Sequence, residues 1–174
     1  MKISLIIVKS LDGFTTQGSD SNIYNWTSKQ DTEFFFKKIE QAKLIIMSSH
    51  TYGVVRHFIK HKKGRTRVVM TRTPEKFKDE EVPGFLEFTN ESPLEIVKKY
   101  EALGKKTAIH VGGTKITTMF LKENLIDEIY VTIEPMLFGD GGHVLSQRLD
   151  VKLELLSVKK LNKRGTLLLR YKVF

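Results

Sequence analysis

Between Thr107 and Gly142 the chain reads TAIHVGGTKITTMFLKENLIDEIYVTIEPMLFGDGG, and this stretch narrows the choice of folds more than any other. A short apolar run, Ala108 to Val111, has the composition of a buried strand. It ends on Gly112–Gly113, and a helical pattern follows with Ile116, Met119 and Phe120 on one face. A strand, paired glycines and a helix start let a backbone approach an anion closely. The helix then turns its free N–H groups and positive dipole end toward that anion. Asn124 suits a left-handed cap at the end of the helix. A second strand, Asp127 to Ile133, runs into Glu134–Pro135 and the turn Gly139-Asp140-Gly141-Gly142. A Gly-Gly pair also suits a plain tight turn, so the rest of the chain has to decide between the two.

Ile3 to Val8 is a continuous apolar run, the mark of a strand buried on both faces, and Ser10-Leu11-Asp12-Gly13 ends it with a strong turn signal. A polar loop to Asn25 follows. Trp26, the single tryptophan, precedes a helix that Thr27 or Ser28 can cap, with Asp31 in its first turn and Phe34, Phe35, Ile39 and Ala42 on its apolar side. Lys43 to Ser48 is a second buried strand leading into Ser49-His50-Thr51-Tyr52 and a short basic helix. Arg67 to Met70 is a third strand, and Leu86 to Thr89 a short fourth. Ser92-Pro93-Leu94-Glu95 is a capping box with proline at the first helical position, so a helix is expected from Pro93 to about Leu103, stopped by Gly104. Lys152 to Leu161 and Thr166 to Val173, around Asn162-Lys163-Arg164-Gly165, read as a closing hairpin. Strands alternate with helices to residue 135 and two strands finish the chain. The expected fold is one α/β domain over residues 1–174, a three-layer α/β/α sandwich whose mostly parallel sheet has an antiparallel C-terminal edge.

The absence of cysteine excludes disulfides and thiolate metal sites and fits a reducing cytosol. The N-terminus shows no cleavage-site pattern, and no apolar run approaches the roughly 20 residues of a membrane helix, so a cytoplasmic protein with no membrane partner is expected. The net charge of +9 raises nucleic acid as a partner. Yet the basic runs Lys60 to Arg72 and Lys159 to Arg164 are not interleaved with aromatic stacking residues. A solvated basic surface that draws in phosphate-bearing small molecules accounts for them better.

Little of the common catalytic chemistry fits. His57 and His61, four apart on an expected helix, could share a metal, but lysines surround them and no third ligand is near; no metal site is expected. No Gly-x-Ser-x-Gly elbow, Walker A loop or Rossmann fingerprint is present. A dinucleotide would need a different cradle.

Five motifs, in order, resemble the dihydrofolate-reductase-like superfamily, and within it the pyrimidine-reductase branch of riboflavin biosynthesis. They are Ile3–Ile6 with Ser10-Leu11-Asp12-Gly13; Trp26, Asp31 and Phe35; Met47-Ser48-Ser49-His50-Thr51-Tyr52; Val111-Gly112-Gly113; and Leu125-Ile126-Asp127-Glu128 through Glu134-Pro135 to Leu137-Phe138-Gly139-Asp140-Gly141. The last is the most specific, and the resemblance covers essentially the whole chain.

The resemblance implies an NADPH-dependent reductase passing hydride to a pyrimidine- or pterin-like heterocycle. The alternatives are a dihydrofolate-reductase-like enzyme on another substrate, and a non-catalytic nucleotide- or nucleic-acid-binding domain that retains the fold. It places the pyrophosphate at Val111, Gly112, Gly113, Thr114 and Lys115. The nicotinamide falls by Ile7, Val8, Asp12 and Gly13, the phosphate turn at Ser49, His50 and Thr51, and the 2′-phosphate at Thr71 and Arg72. Asp31 would hold the heterocycle's amino or amide groups, with Thr132 hydrogen-bonding that carboxylate. The branch also commonly dimerises, and its fused zinc deaminase would need cysteines, so a stand-alone, homodimeric reductase is expected. One departure stands out: Ser48 and Ser49 replace the family's Gly and Arg. Losing that guanidinium removes a charge-assisted phosphate contact worth on the order of 1.5–3 kcal/mol, for which Arg72 and Lys115 are the available compensation.

Overall fold

The computed structural model describes residues 1–174. Its elements, in order, are β1 (Lys2–Ser10), α1 (Lys29–Gln41), β2 (Leu44–Ser48), α2 (Ser49–Val55), β3 (Thr66–Met70), β4 (Leu86–Thr89), α3 (Pro93–Ala102), β5 (Thr107–His110), α4 (Thr114–Lys122), β6 (Glu128–Glu134), β7 (Leu153–Lys160) and β8 (Leu167–Val173). One sheet holds all eight strands in the order β4-β3-β2-β5-β1-β6-β8-β7. The first six pair parallel; β8 runs antiparallel to β6, and β7 antiparallel to β8.

The three-layer expectation holds, and burial shows why. β2 and β3 are buried at every position, as parallel strands covered on both faces must be. On one face Leu44, Ile46, Val68 and Met70 pack with Ile96, Val97 and Tyr100 of α3 and Phe120 and Leu121 of α4. On the other, Ile45, Met47 and Val69 pack with Tyr52 of α2 and with Phe34, Phe35 and Ile39 of α1. The capping box at Ser92 forms with both of its hydrogen bonds, and Asn124 adopts a left-handed conformation with φ 54°.

Two local expectations fail. Met119 is 40% exposed, and the buried residues of α4 are Thr117, Thr118, Phe120 and Leu121. Tertiary partners set that face: Thr117 bonds His110, and the Thr118 hydroxyl accepts from the Ser146 amide. His57 and His61 do not share a helix either. α2 ends at Val55, His57 lies in the single 3₁₀ turn Arg56–Phe58, and His61 lies beyond it. No group of three His, Cys, Asp or Glu side chains comes together for a metal, and no helix is long and apolar enough to cross a membrane.

Candidate active site

At the C-terminal ends of the parallel strands lies a cleft of about 700 Å³. Open α/β sheets bind ligands at this edge. Its walls come from the end of β1, α1, α2, the β5–α4 junction and the loop 140–144.

Asp31 is delivered to one end by a relay of bonds. The Ser28 hydroxyl caps α1 by accepting from the Asp31 amide at 3.3 Å. The Ser28 amide donates to Glu134 Oε1 at 2.8 Å, and the Thr166 hydroxyl donates to Glu134 Oε2 at 2.6 Å. Glu134 is thus buried on β6 and pins the start of α1. Sequence reasoning passed over it as a strand end, because its partners lie far away in the chain.

Asp31 is 5% exposed and lines the cleft. Burial raises its pKa to about 6, the Glu134 charge adds to the rise, and the Thr132 hydroxyl opposes it. Thr132 stands level with Val8 across the β1–β6 pairing. Its hydroxyl is near enough to ease the carboxyl downward, yet the two do not meet hydrogen-bonding geometry and Thr132 Oγ1 has no other partner. Only two further buried side-chain atoms in the molecule lack a partner, Trp26 Nε1 and Thr27 Oγ1, and both belong to the segment leading into α1. Of the three, the Thr132 hydroxyl acts on the Asp31 carboxyl and Thr27 lines the cleft with Asp31, whereas nearly all buried polar groups in folded proteins are paired.

The other end is built of backbone. Gly112 and Gly113 have φ of 111° and 100°, conformations that side chains rarely adopt. A Cβ on Gly113 would overlap the Ser48 side chain, while one on Gly112 would meet only Thr51 Oγ1, at 3.9 Å. Gly113 is also the N-cap of α4, and no side chain caps that helix, so its first N–H groups are left for an anion. His110 holds the junction from beneath. Its Nδ1–H donates to the Ile46 carbonyl at 3.2 Å, and the Thr117 hydroxyl donates to Nε2 at 2.9 Å. Full burial pushes this imidazole down to about 4, which keeps it neutral. Ser48 is occupied as the cap of α2, accepting from the Thr51 amide at 3.1 Å.

Of the residues expected at the cofactor, Ile7, Val8, His50, Thr51, Val111, Gly112, Gly113 and Thr114 line this cleft. The others do not. Asp12 is a structural clamp: its carboxylate accepts from the Ser10 hydroxyl and from the Phe138 and Gly139 amides, which hold its pKa below the usual carboxylate range. Gly13 turns the chain beside it, with φ 99°. Ser49, Thr71, Arg72 and Lys115 lie outside the lining, and Arg72 is exposed. Thr132 backs the cleft rather than lining it. The structure adds Thr15, Thr16 and the loop Asp140–Val144. The Thr16 hydroxyl accepts from the Gly142 amide at 2.7 Å, and a Cβ on Gly141 would strike the Thr16 carbonyl. The glycine-dense turn after β6 was the sequence signal for this second close approach.

The model of the RibD C-terminal domain family matches residues 1–167. The uncharacterized protein YwjB of Bacillus subtilis is 25% identical over 171 residues, covering 95% of this chain and 90% of YwjB. A pyrimidine reductase-like protein of Corynebacterium diphtheriae superposes with a TM-score of 0.76 at 14% identity, covering 99% of this chain and 92% of that one. The Thermotoga maritima deaminase/5-amino-6-(5-phosphoribosylamino)uracil reductase gives 0.77 at 15% identity, with 99% of this chain matched to 56% of that longer one. At such identities the superpositions establish the fold, and the family match extends over nearly the full length. The chain belongs to the RibD C-terminal domain family.

Proposed function

We propose that the protein is an NADPH-dependent reductase acting on a flat, nitrogen-rich heterocycle of the pyrimidine or pterin type. The observation that carries this reading is the buried carboxyl of Asp31, with the partnerless Thr132 hydroxyl acting on it, at one end of a cleft whose other end is an uncapped helix start behind two glycines. The residues fit the cofactor: Gly112 leaves space where a side chain would project, and the first amides of α4 suit a diphosphate. NADPH, when bound, supplies the hydride. The chain's own residues bind and orient. Ionised Asp31 accepts from the ring's amino or amide groups, Thr132 supports that carboxylate, and Ile7 and Val8 form an apolar wall that keeps water from the transfer.

Adding NADPH should quench Trp26 and excite cofactor emission by energy transfer, since Trp26 is 7% exposed in the segment leading into α1. Oxidation of NADPH should then appear with members of an aminopyrimidine and pterin panel. Cofactor binding without turnover on any of them would reduce the protein to a nucleotide binder.

We further propose a homodimer through β7. This outer strand is exposed at every position, and Leu153, Leu155, Leu156 and Val158 are 43–53% exposed. Leu153, Leu155 and Val158 pair with Val173, Tyr171 and Leu169 of β8, so these apolar side chains share one face, and an open edge with such a face is self-complementary under a two-fold axis. Light scattering should give twice the 20.0 kDa monomer mass. A particle of monomer mass at micromolar concentration would count against it.

A further inference from the structure

The cleft does not stop at Asp31. Phe35 and Ile39 follow Asp31 on α1 at spacings of four and eight residues, so the three side chains form one stripe, about 12 Å long by helical rise. All three line the cleft. Facing the stripe are Val55 at the end of α2, Phe58 in the turn after it, and Ile59. The floor is Ile45 and Arg67, which are paired in register across β2 and β3. At the mouth Tyr24 packs against Phe36 and Phe58, with ring centroids 6.3 and 5.9 Å away. Phe36 is 43% and Phe58 65% exposed. This is a trough of carbon, continuous with the carboxylate and open to solvent.

Its charges are as informative as its carbon. No lysine lines the cleft; Lys60, Lys62 and Lys63, close in sequence to Phe58, all lie outside it. The one cation in the trough is Arg67, 6% exposed, whose Nη1 donates to the Lys60 carbonyl at 3.0 Å. Burial, with Arg65 nearby, holds its pKa below the usual guanidinium range, so Arg67 is already a desolvated charge. A phosphate dianion leaving water needs several converging donors. A single, partly committed guanidinium in an apolar floor does not provide them.

We infer that the heterocycle bound at Asp31 carries an apolar, unphosphorylated substituent, an aryl or alkyl arm lying along Phe35 and Ile39. It thereby differs from the phosphoribosyl compound for which the Thermotoga maritima reductase is named. The inference rests on the reading of Asp31 as the heterocycle's partner.

Calorimetric titration in the presence of NADPH tests it with three ligands that share one aminouracil head: the bare head, the head with a benzyl arm, and the head with a 5-phosphoribosyl arm. The benzyl arm should tighten binding roughly tenfold or more over the bare head, by burying its ring against the trough. The phosphoribosyl arm should bind no tighter than the bare head. Phe58→Lys, at an exposed position, should shrink the benzyl gain and tighten the phosphoribosyl ligand, with circular dichroism confirming the fold. A phosphoribosyl ligand that outbinds the benzyl ligand overturns the inference, as does a bare head that binds with no gain from benzyl. If none of the three heads binds, the heterocycle reading falls and takes this inference with it.

Discussion

The two ends of the cleft are constructed on opposite terms. At Gly112–Gly113 the side chains are satisfied: His110 has both ring nitrogens bonded, Ser48 caps α2, and the two glycines present bare backbone to the space. At Asp31 a carboxyl is buried without a cation, and the Thr132 hydroxyl that acts on it makes no hydrogen bond. The first end is scaffold that also binds. The second holds unfavourable free energy that a ligand offering N–H donors would relieve. Strain of this kind gathers at functional sites, and the two ends should answer mutation with opposite signs.

The largest effect should come from Asp31→Asn. The amide keeps the shape but presents a donor where the ring presents donors, and an unpaired contact in a closed site costs about 1–3 kcal/mol, roughly ten- to a hundredfold in kcat/KM. NADPH affinity should barely change. Stability should move the other way. The folded-state pKa lies near 6 against 3.8 for a free aspartate, so the native state binds the extra proton, and stability falls as pH rises between those values. Relief of that penalty in the variant amounts to about 3 kcal/mol at pH 8 by linkage, against a lost helix-dipole contribution of about 0.3–1 kcal/mol. The variant should therefore be the more stable protein at pH 8 and lose that advantage near pH 4, as urea titrations at both pH values would show. Activity of the parent protein should rise with pH through about 6 as the carboxylate ionises. A variant with full activity, or one less stable at pH 8, would remove Asp31 from the site.

Gly113→Ala probes the satisfied end, and there both quantities should fall. The residue sits at φ 100° and its new Cβ would overlap Ser48, a strain of about 1–3 kcal/mol. Melting temperature and NADPH affinity should drop together. Loss of affinity at unchanged stability would mean that the glycine serves the ligand and not the packing.

How much of this contrast was legible in the sequence follows from the range of the interactions. β1, the Ser92 capping box and the strand–Gly-Gly–helix junction are local patterns, and they appear where the periodicity and cap residues put them. Asp31 could be placed on the first turn of a helix, but its raised pKa could not, since it depends first on burial by the folded chain and then on the charge of Glu134, 103 residues later in the numbering. The bonds of Asp12 were hidden for the same reason: the Phe138 and Gly139 amides that close on it lie more than 120 residues away. The apolar trough was half visible as the stripe Phe35–Ile39. Its opposite wall comes from a segment that sequence reading took only for a basic helix.

Thr132→Val offers a smaller and cleaner test of the strained end. The swap removes a buried hydroxyl that has no partner, so stability should hold or rise by up to about 1 kcal/mol, where a paired hydroxyl would cost about that much. If Thr132 supports the Asp31 carboxylate once a ligand is bound, kcat/KM should still fall several-fold. A loss of stability with unchanged activity would make Thr132 part of the packing alone.

The smallest effect belongs to Arg72, which lies outside both ends. Resemblance put it at the cofactor's 2′-phosphate, and the structure leaves it exposed beyond β3 and off the cleft wall. With Ser49 in place of the family's arginine, Arg72 is the remaining guanidinium on the loop assigned to that phosphate. An exposed charge pair contributes only about 0.2–1 kcal/mol and is screened by salt. Arg72→Ala should therefore raise the KM for NADPH by no more than about fivefold, leave that for NADH unchanged, and lose its effect at high ionic strength. Equal shifts for both cofactors would take Arg72 out of phosphate recognition. A much larger shift for NADPH alone would mean that the loop after β3 closes onto the cleft when the cofactor binds, which would make the anion end less rigid than the contrast above has it.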